Sequence, residues 1–459
     1  MVITVVKVGL RADGGAMNTV TTLFVVIVTL LMLITFIIIL SGLGRPRTCR
    51  KRGTCTVSVI IPTRNEPPHV LRRLSNFIEN TTSKLRNVEF IIVDDSDRPN
   101  HDILCLKKIA KVIHRDKPRG FKPGALNDAL KVSNGEIVVI VDSDTVFSVE
   151  FLENMCGCIE SGYTLAQSKT FPESVEGLVA AAYASYVCFR NEFLLKGTAA
   201  LGLPFIAGYG YGLSRKTILA AGGWSEKTLA EDIDLFVKLF SKGERGAIIE
   251  ENVSELPPAT FSDLRKQQQR WIVGSFQGFF KALKLSTQSS AKALAAAPFL
   301  SFYFGLLLNA LIGVVPIVSL ATGEVLSRSV FIVSTVLLNA LLAIFGLQLF
   351  TSLSRKIGIK KAALGLVVGS VLYNALSLYA VYALIKVLLG GRFAWEVTGK
   401  AGSRSSKKNR KKSDKIYFST TVYYLASFLA SIKVTPLLAG WIGSILLSII
   451  ISWIMEKKL

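Results

Sequence analysis

Residues 19–40, TVTTLFVVIVTLLMLITFIIIL, form a run of 22 positions without a charged side chain. A helix of that length matches a bilayer's hydrocarbon core, about 30 Å thick. Further apolar runs lie near 296–320, 329–352, 363–389, 416–432 and 436–455. Half of the residues are hydrophobic and mean hydropathy is +0.45. The first run is too long for a cleaved signal core and lacks a small-residue cleavage site. The chain is therefore expected to be a multi-pass membrane protein with the lipid bilayer as a partner.

The formal net charge is +22, and its distribution matters more than its size. Arg45, Arg47, Arg50, Lys51 and Arg52 follow the first run, while Lys407, Lys408, Arg410, Lys411 and Lys412 precede the last ones. Basic clusters beside apolar runs mark cytoplasmic flanks and favour anionic lipid. No nucleic-acid module accompanies the charge, so no nucleic-acid partner is expected. The soluble stretch 54–285 is then cytoplasmic, between an anchor at 1–53 and a membrane domain at 286–459. If 363–389 spanned the bilayer, the basic loop 391–415 would lie outside, against that charge rule. Leaving the run at the interface, or re-entrant, gives five spanning helices, with six as the alternative. Six cysteines, at 49, 55, 105, 156, 158 and 188, are expected to be reduced on the cytoplasmic side. Cys156-Gly-Cys158 lacks a second pair to complete a metal site. His69, His101 and His114 read as surface residues.

The soluble stretch opens with TVSVII, VEFIIV and EIVVIV, separated by the helical patterns HVLRRLSNFIE and PGALNDALKV. This alternation predicts an α/β domain with a doubly wound parallel sheet. Each strand ends in polar residues at its C-terminal edge, where open α/β sheets bind ligands. PTRNE supplies Thr63, Asn65 and Glu66; DDSD begins with Asp94 and Asp95; DSD holds Asp142 and Asp144. In an extended segment Asp142 and Asp144 face the same way, two hard oxygen donors suited to Mg²⁺ or Mn²⁺ carried with a diphosphate. Further on, Glu231 and Asp232 open an amphipathic helix, whose dipole favours ionised carboxylates. In DLRKQQQRWIVGS, Gln267, Arg270 and Trp271 fall on one helical face just before the membrane domain. Arg270 offers a forked cation, and Trp271 a flat aromatic face, presented together close to the membrane.

Taken together, VDDSD, KPGALN, VDSD, AGYGYGLSR, AEDIDL, QQQRW and WEVTGK, spread over about 57–400, resemble the membrane-embedded family 2 glycosyltransferases of the cellulose, chitin and hyaluronan synthase type. The resemblance implies a GT-A-type nucleotide-sugar-binding domain inserted between transmembrane helices. It implies inverting, processive extension of a polysaccharide from a UDP-sugar at the cytoplasmic face of the plasma membrane. By resemblance Asp94 and Asp95 hold the uridine, Asp144 the metal, and Lys122 a phosphate or base edge. Asp232 is then the general base, and Thr398 and Lys400 lie in a gating loop that reaches the nucleotide. Ala230 and Trp395 depart from the family's usual threonine and phenylalanine. The enzymatic alternative is a non-processive transferase acting on a lipid or polyprenyl-phosphate acceptor. A transporter would need polar groups in its spans, where Asn309, Asn339 and Gln348 are few and uncharged.

Overall fold

The computed structural model describes residues 17–97, 101–288, 291–391, 393 and 410–458. Helix α1 (Thr19–Gly42) carries the first apolar run, capped by Asn18, whose Oδ1 accepts from the Thr21 amide at 2.8 Å. Residues 43–47 alone separate it from a two-residue strand, β1 (Thr48–Cys49).

The predicted alternation then follows as β2 (Val57–Thr63), α2 (Pro68–Thr82), β3 (Val88–Asp94), β4 (Lys111–His114), α3 (Phe121–Val132), β5 (Ile137–Ile140) and α4 (Val149–Glu160). The domain continues through β6 (Leu165–Gln167), β7 (Thr170–Pro172), α5 (Gly177–Phe189), β8 (Tyr211–Ser214), α6 (Glu231–Ser241), β9 (Gly246–Ile249), β10 (Val253–Glu255) and α7 (Phe261–Gln288). Eight strands form one sheet in the order β1-β9-β6-β8-β5-β2-β3-β4. All pairs are parallel except those of β8, which runs against β5 and β6. β10 and β7 form a small parallel pair. Parallel strands buried on both faces read as unbroken apolar runs because successive side chains serve opposite layers. In β2, Ile60 joins the core under α3 and α6, while Val59 and Ile61 join the core under α2 and α4. The chain leaves β2 for β3 on one side and reaches β5 on the other. That reversal opens a crevice beyond the strands' C-terminal ends.

The cysteines correct the sequence expectation. Cys49 pairs with Cys158 and Cys55 with Cys156, so two disulfides fasten the segment around β1 to the end of α4. Gly157 lies between the two bridgeheads because a Cβ there would meet the Lys51 carbonyl at 1.8 Å. The partners are 109 and 101 residues apart, a proximity no local spacing reveals. Cys105 and Cys188 take no part in these two disulfides.

The second half is helical: α8 (Phe304–Ile312), α9 (Val315–Thr322), α10 (Arg328–Ile357), α11 (Ile359–Ala375), α12 (Ser377–Leu388), α13 (Arg410–Val434) and α14 (Pro436–Lys458). Among the described residues, four helical stretches are long and apolar enough to cross a membrane: α1, α8 with α9, α10, and α14. α11 and α12, bent by 50° at a short break, make a fifth if they count as one span. The expected span at 416–432 does not qualify, although α13 lies antiparallel to α14, with Asp414 accepting from the Trp453 indole at 2.9 Å and Phe428 beside Gly443. Its Thr420, Thr421, Ser427 and Ser431 make it too polar. α11 docks on α5 in parallel register: Lys361 pairs with Glu176, Gly365 touches the Ala181 carbonyl, and the Tyr186 hydroxyl donates to the Gly369 carbonyl at 2.6 Å. Two glycines four apart let the helices approach this closely.

Candidate active site

One cleft of about 270 Å³ lies beyond the C-terminal ends of β2, β3 and β5, closed on the far side by α5, α6 and α7. Of the residues singled out in the sequence, Thr63, Glu66, Asp95, Lys122, Asp142, Asp144, Glu231, Asp232, Gln267, Arg270 and Trp271 all line it. Acids from separate strand ends thus share one space with the arginine and indole of α7.

Asn65 and Asp94 do not line the cleft. Thr63 and Asp94 are paired across the β2–β3 ladder, and Asp94 is fully buried. Its Oδ1 accepts from the Thr63 hydroxyl at 3.0 Å and the Ser96 hydroxyl at 2.6 Å, and its Oδ2 faces His114 Nδ1 at 2.9 Å. Asn65 holds the loop after β3, exchanging hydrogen bonds with Asp97 at 3.0 and 3.1 Å. Both brace neighbouring strand ends. His114 is therefore a partner of Asp94 and only partly a surface residue. Thr398 and Lys400 lie outside the described residues.

Asp95 is gripped by a residue the sequence reading missed. Arg115 donates through Nε to Oδ1 at 2.6 Å and through Nη2 to Oδ2. The guanidinium also bonds Asp128 and the carbonyls of Arg119 and Phe121, fixing the turn that presents Lys122. Burial alone would lower Arg115, yet the Asp95 and Asp128 charges raise it.

Lys122 is the hub of the acids. Its Nζ donates to Asp142 Oδ1 at 2.8 Å and to the Gly208 carbonyl at 3.0 Å, and lies 3.8 Å from Glu231 Oε1. Burial opposes its charge, but Asp142 and Glu231 outweigh it and raise the ammonium. Gly208 has φ +84°, and a Cβ there would sit 3.1 Å from Asp232 Oδ2, so its bareness keeps the aspartate open. Burial pushes the Glu231 carboxyl up to about 7, with Lys122 opposing and Asp232 reinforcing. Burial raises Asp232 too, against the Ile233 amide that donates to its Oδ1 at 2.9 Å. A proton acceptor held above the ordinary carboxylate range is a competent general base.

Arg190, Tyr183, Tyr209 and Glu255 also line the cleft. Arg190 lies 5.7 Å from the indole centroid and 5.8 Å from the Tyr209 ring. The Tyr183 hydroxyl donates to Glu255, whose carboxyl burial pushes up to about 7, with Arg190 opposing and Asp144 reinforcing. The signal for Arg190 was present: a cation interrupting the apolar run 177–195. Gln267 Oε1 is buried without a partner, so the cleft keeps an acceptor ready for a ligand hydroxyl.

Among the described residues, no group of three or more His, Cys, Asp or Glu is arranged to hold a metal ion. Among the carboxylates lining the cleft, Asp142 and Asp144 are the pair the sequence pointed to as hard donors, with one Asp144 oxygen accepting from the Leu256 amide at 3.2 Å. Two carboxylates are too few for an all-protein cage. They fit an octahedral cation that arrives with a diphosphate and completes its shell with phosphate oxygens and water.

Residues 137–347 match the family model described as glycosyl transferase family group 2. The chain is 27% identical over 248 residues to a β-monoglucosyldiacylglycerol synthase of Trichormus variabilis, covering 51% of this chain and 53% of that protein. It is 24% identical over 248 residues to a probable glycosyltransferase of Sulfolobus acidocaldarius, covering 51% and 52%. It is 25% identical over 234 residues to a cellulose synthase catalytic subunit (UDP-forming) of Pseudomonas fluorescens, covering 49% and 31%. The chain spans about half the length of the curated relatives it matches first. Among solved structures it resembles a mannosyltransferase of Pyrobaculum calidifontis in complex with GDP-Man and Mn²⁺. The TM-score is 0.54 at 19% identity, over 79% of this chain and 98% of that one. The fold is GT-A-like.

Proposed function

We propose, for a chain that carries a glycosyl transferase family 2 domain, that it moves a sugar from a nucleotide-diphosphate donor to a lipid hydroxyl presented from the membrane. The supporting observation is that Asp144, Asp232, Arg270 and Trp271 share one cleft. Asp232 takes the acceptor proton while that oxygen attacks the anomeric carbon from the face opposite the diphosphate, which gives inversion. Trp271, backed by Arg190, supports the sugar ring, and Gln267 Oε1 accepts from a sugar hydroxyl. Arg270 pairs with the diphosphate, and Lys122 keeps Asp142 and Glu231 from repelling it. Asp144 and Asp142 would hold a Mg²⁺ or Mn²⁺ ion, which would supply positive charge for the departing diphosphate. Thr63, Glu66 and Asp95 lie where the nucleoside enters, and UDP is the nucleotide the family resemblance favours.

The domain boundaries near 53 and 285, the cytoplasmic placement of the cleft and a location in the cell membrane belong to this proposal. A lipid acceptor agrees with the helices that flank the cleft and with relatives named as lipid glucosyltransferases. A second reading, processive polysaccharide synthesis, is favoured by Gln267, Arg270 and Trp271 together on α7 and by the cellulose synthase relative. The test is a screen of purified protein against nucleotide sugars with Mg²⁺ or Mn²⁺, reading nucleoside diphosphate release and product size. One sugar on a lipid is expected. A long polymer selects the second reading, and no release with any donor removes both.

A further inference from the structure

A cavity of about 790 Å³ lies among α1, α8, α10, α11 and α14, at the upper end of the range for small-molecule sites. It shares Tyr186, Phe189 and Phe302 with the catalytic cleft, so three aromatic rings form a common wall between sugar chemistry and membrane helices. None of its lining residues is charged, and most are aliphatic or aromatic. Two of its three amides are already engaged: Asn309 Nδ2 donates to Asn374 Oδ1 at 3.3 Å, and Asn374 Nδ2 to Ser448 Oγ at 3.4 Å. A sugar polymer needs a partner for every hydroxyl along its path, and this lining cannot supply that. One buried hydroxyl, Thr335 Oγ1, has no partner. That suits a single polar junction in an otherwise apolar ligand. At the rim, Leu342 is 44% and Leu437 37% exposed, both on helices apolar enough to sit in lipid.

We infer that this cavity holds the hydrocarbon chains of the acceptor lipid, which enters sideways from the bilayer and passes its hydroxyl between Tyr186, Phe189 and Phe302 toward Asp232. The inference rests on the lipid-acceptor reading above and adds where that lipid sits. Gly346 provides the means to test it: it lines the cavity, and a Cβ added there meets nothing within 4 Å. Gly346→Trp therefore fills the space without displacing backbone, while Gly346→Ala leaves it open.

The experiment uses the full chain in phosphatidylcholine nanodiscs, with dipalmitoylglycerol as acceptor and a diazirine-tailed analogue for cross-linking. For the wild type, sugar transfer and adducts at the cavity-lining Leu338, Leu342, Phe345 and Leu349 are expected. In Gly346→Trp, KM for the lipid should rise by about tenfold, the loss of a few methylene contacts, and the adducts should vanish. Donor hydrolysis by water and Gly346→Ala should both stay unchanged. If the wild type transfers to the lipid but Gly346→Trp keeps its KM, or adducts map only to outward positions such as Val336 and Leu347, the cavity assignment is wrong and the acceptor reading stands. If the wild type makes only polymer, or transfers to no lipid, the acceptor reading fails and the cavity assignment with it.

Discussion

Asp232 and Glu231 are neighbours in sequence with different surroundings, and the proposed function gives them different tasks. Asp232 lines the cleft with Gly208 standing back from it; Glu231 faces Lys122 at 3.8 Å. Asp232→Asn should leave donor affinity intact, measured calorimetrically, while transfer falls by about 10²–10⁴-fold because only the proton acceptor is lost. Near-normal turnover would remove it from that role. The pH dependence has a definite sign. Both carboxyls are raised by burial, so the ionised base is lost as pH falls, and the acid limb of kcat/KM should lie above the ordinary carboxylate range. Stability runs the other way. A raised carboxyl favours the fold below the ordinary glutamate range, and that contribution disappears as pH rises through about 7. Thermal midpoints of Glu231→Gln measured across pH should therefore show a flatter decline than the wild type. The acids that line the cleft were legible because most follow a strand or open a helix. Asp94 and Asp95 look alike in sequence, but register with Thr63 buries the first and leaves the second at the rim. Arg115 and Glu255 were not legible, because their partners Asp95 and Tyr183 lie 20 and 72 residues away.

At the scale of elements, α7 carries Gln267, Arg270 and Trp271, and the far end of the chain helps to hold it. Arg265 donates through Nε and Nη2 to Glu456 of α14 at 2.7 and 2.9 Å, with both side chains almost fully buried. Removing one partner of such a pair leaves a buried charge and costs about 3–5 kcal/mol, whereas replacing both with apolar groups is close to neutral. Glu456→Leu should therefore lower the thermal midpoint and transfer rate together, and Arg265→Met with Glu456→Leu should recover much of both. An equally damaged double variant would show that the helices are held by other contacts. Hydropathy located these helices but missed two things about them. It counts composition, so the break at Leu376 that bends α11 from α12 leaves no trace in a window average. It also passed 416–432 as apolar, although hydroxyl side chains recur along it.

For the molecule as a whole, the parallel core of β2, β3 and β5 follows from the alternation of runs, whereas the full strand order, the antiparallel β8 and the disulfides that staple β1 do not. Each disulfide closes a loop of more than 100 residues, and in the chain-entropy account a single crosslink of that length adds about 4.7 kcal/mol. Thermal inactivation after reduction, or in Cys49→Ser with Cys158→Ser, should come at lower temperature, with the donor affinity of the folded fraction unchanged. An unaltered midpoint would mean that β1 is secured by its pairing with β9 alone. That pairing has a kinematic result. Between Gly42 and Thr48 there are only residues 43–47, the Ile248 amide bonds the Arg47 carbonyl at 2.8 Å, and Gly44 lies against Ala200. Such a leash has no slack: the head cannot swing out over the lipid to search for its target. For the proposed lipid acceptor, encounters then come by diffusion in two dimensions, and turnover should follow its surface density instead of its bulk concentration.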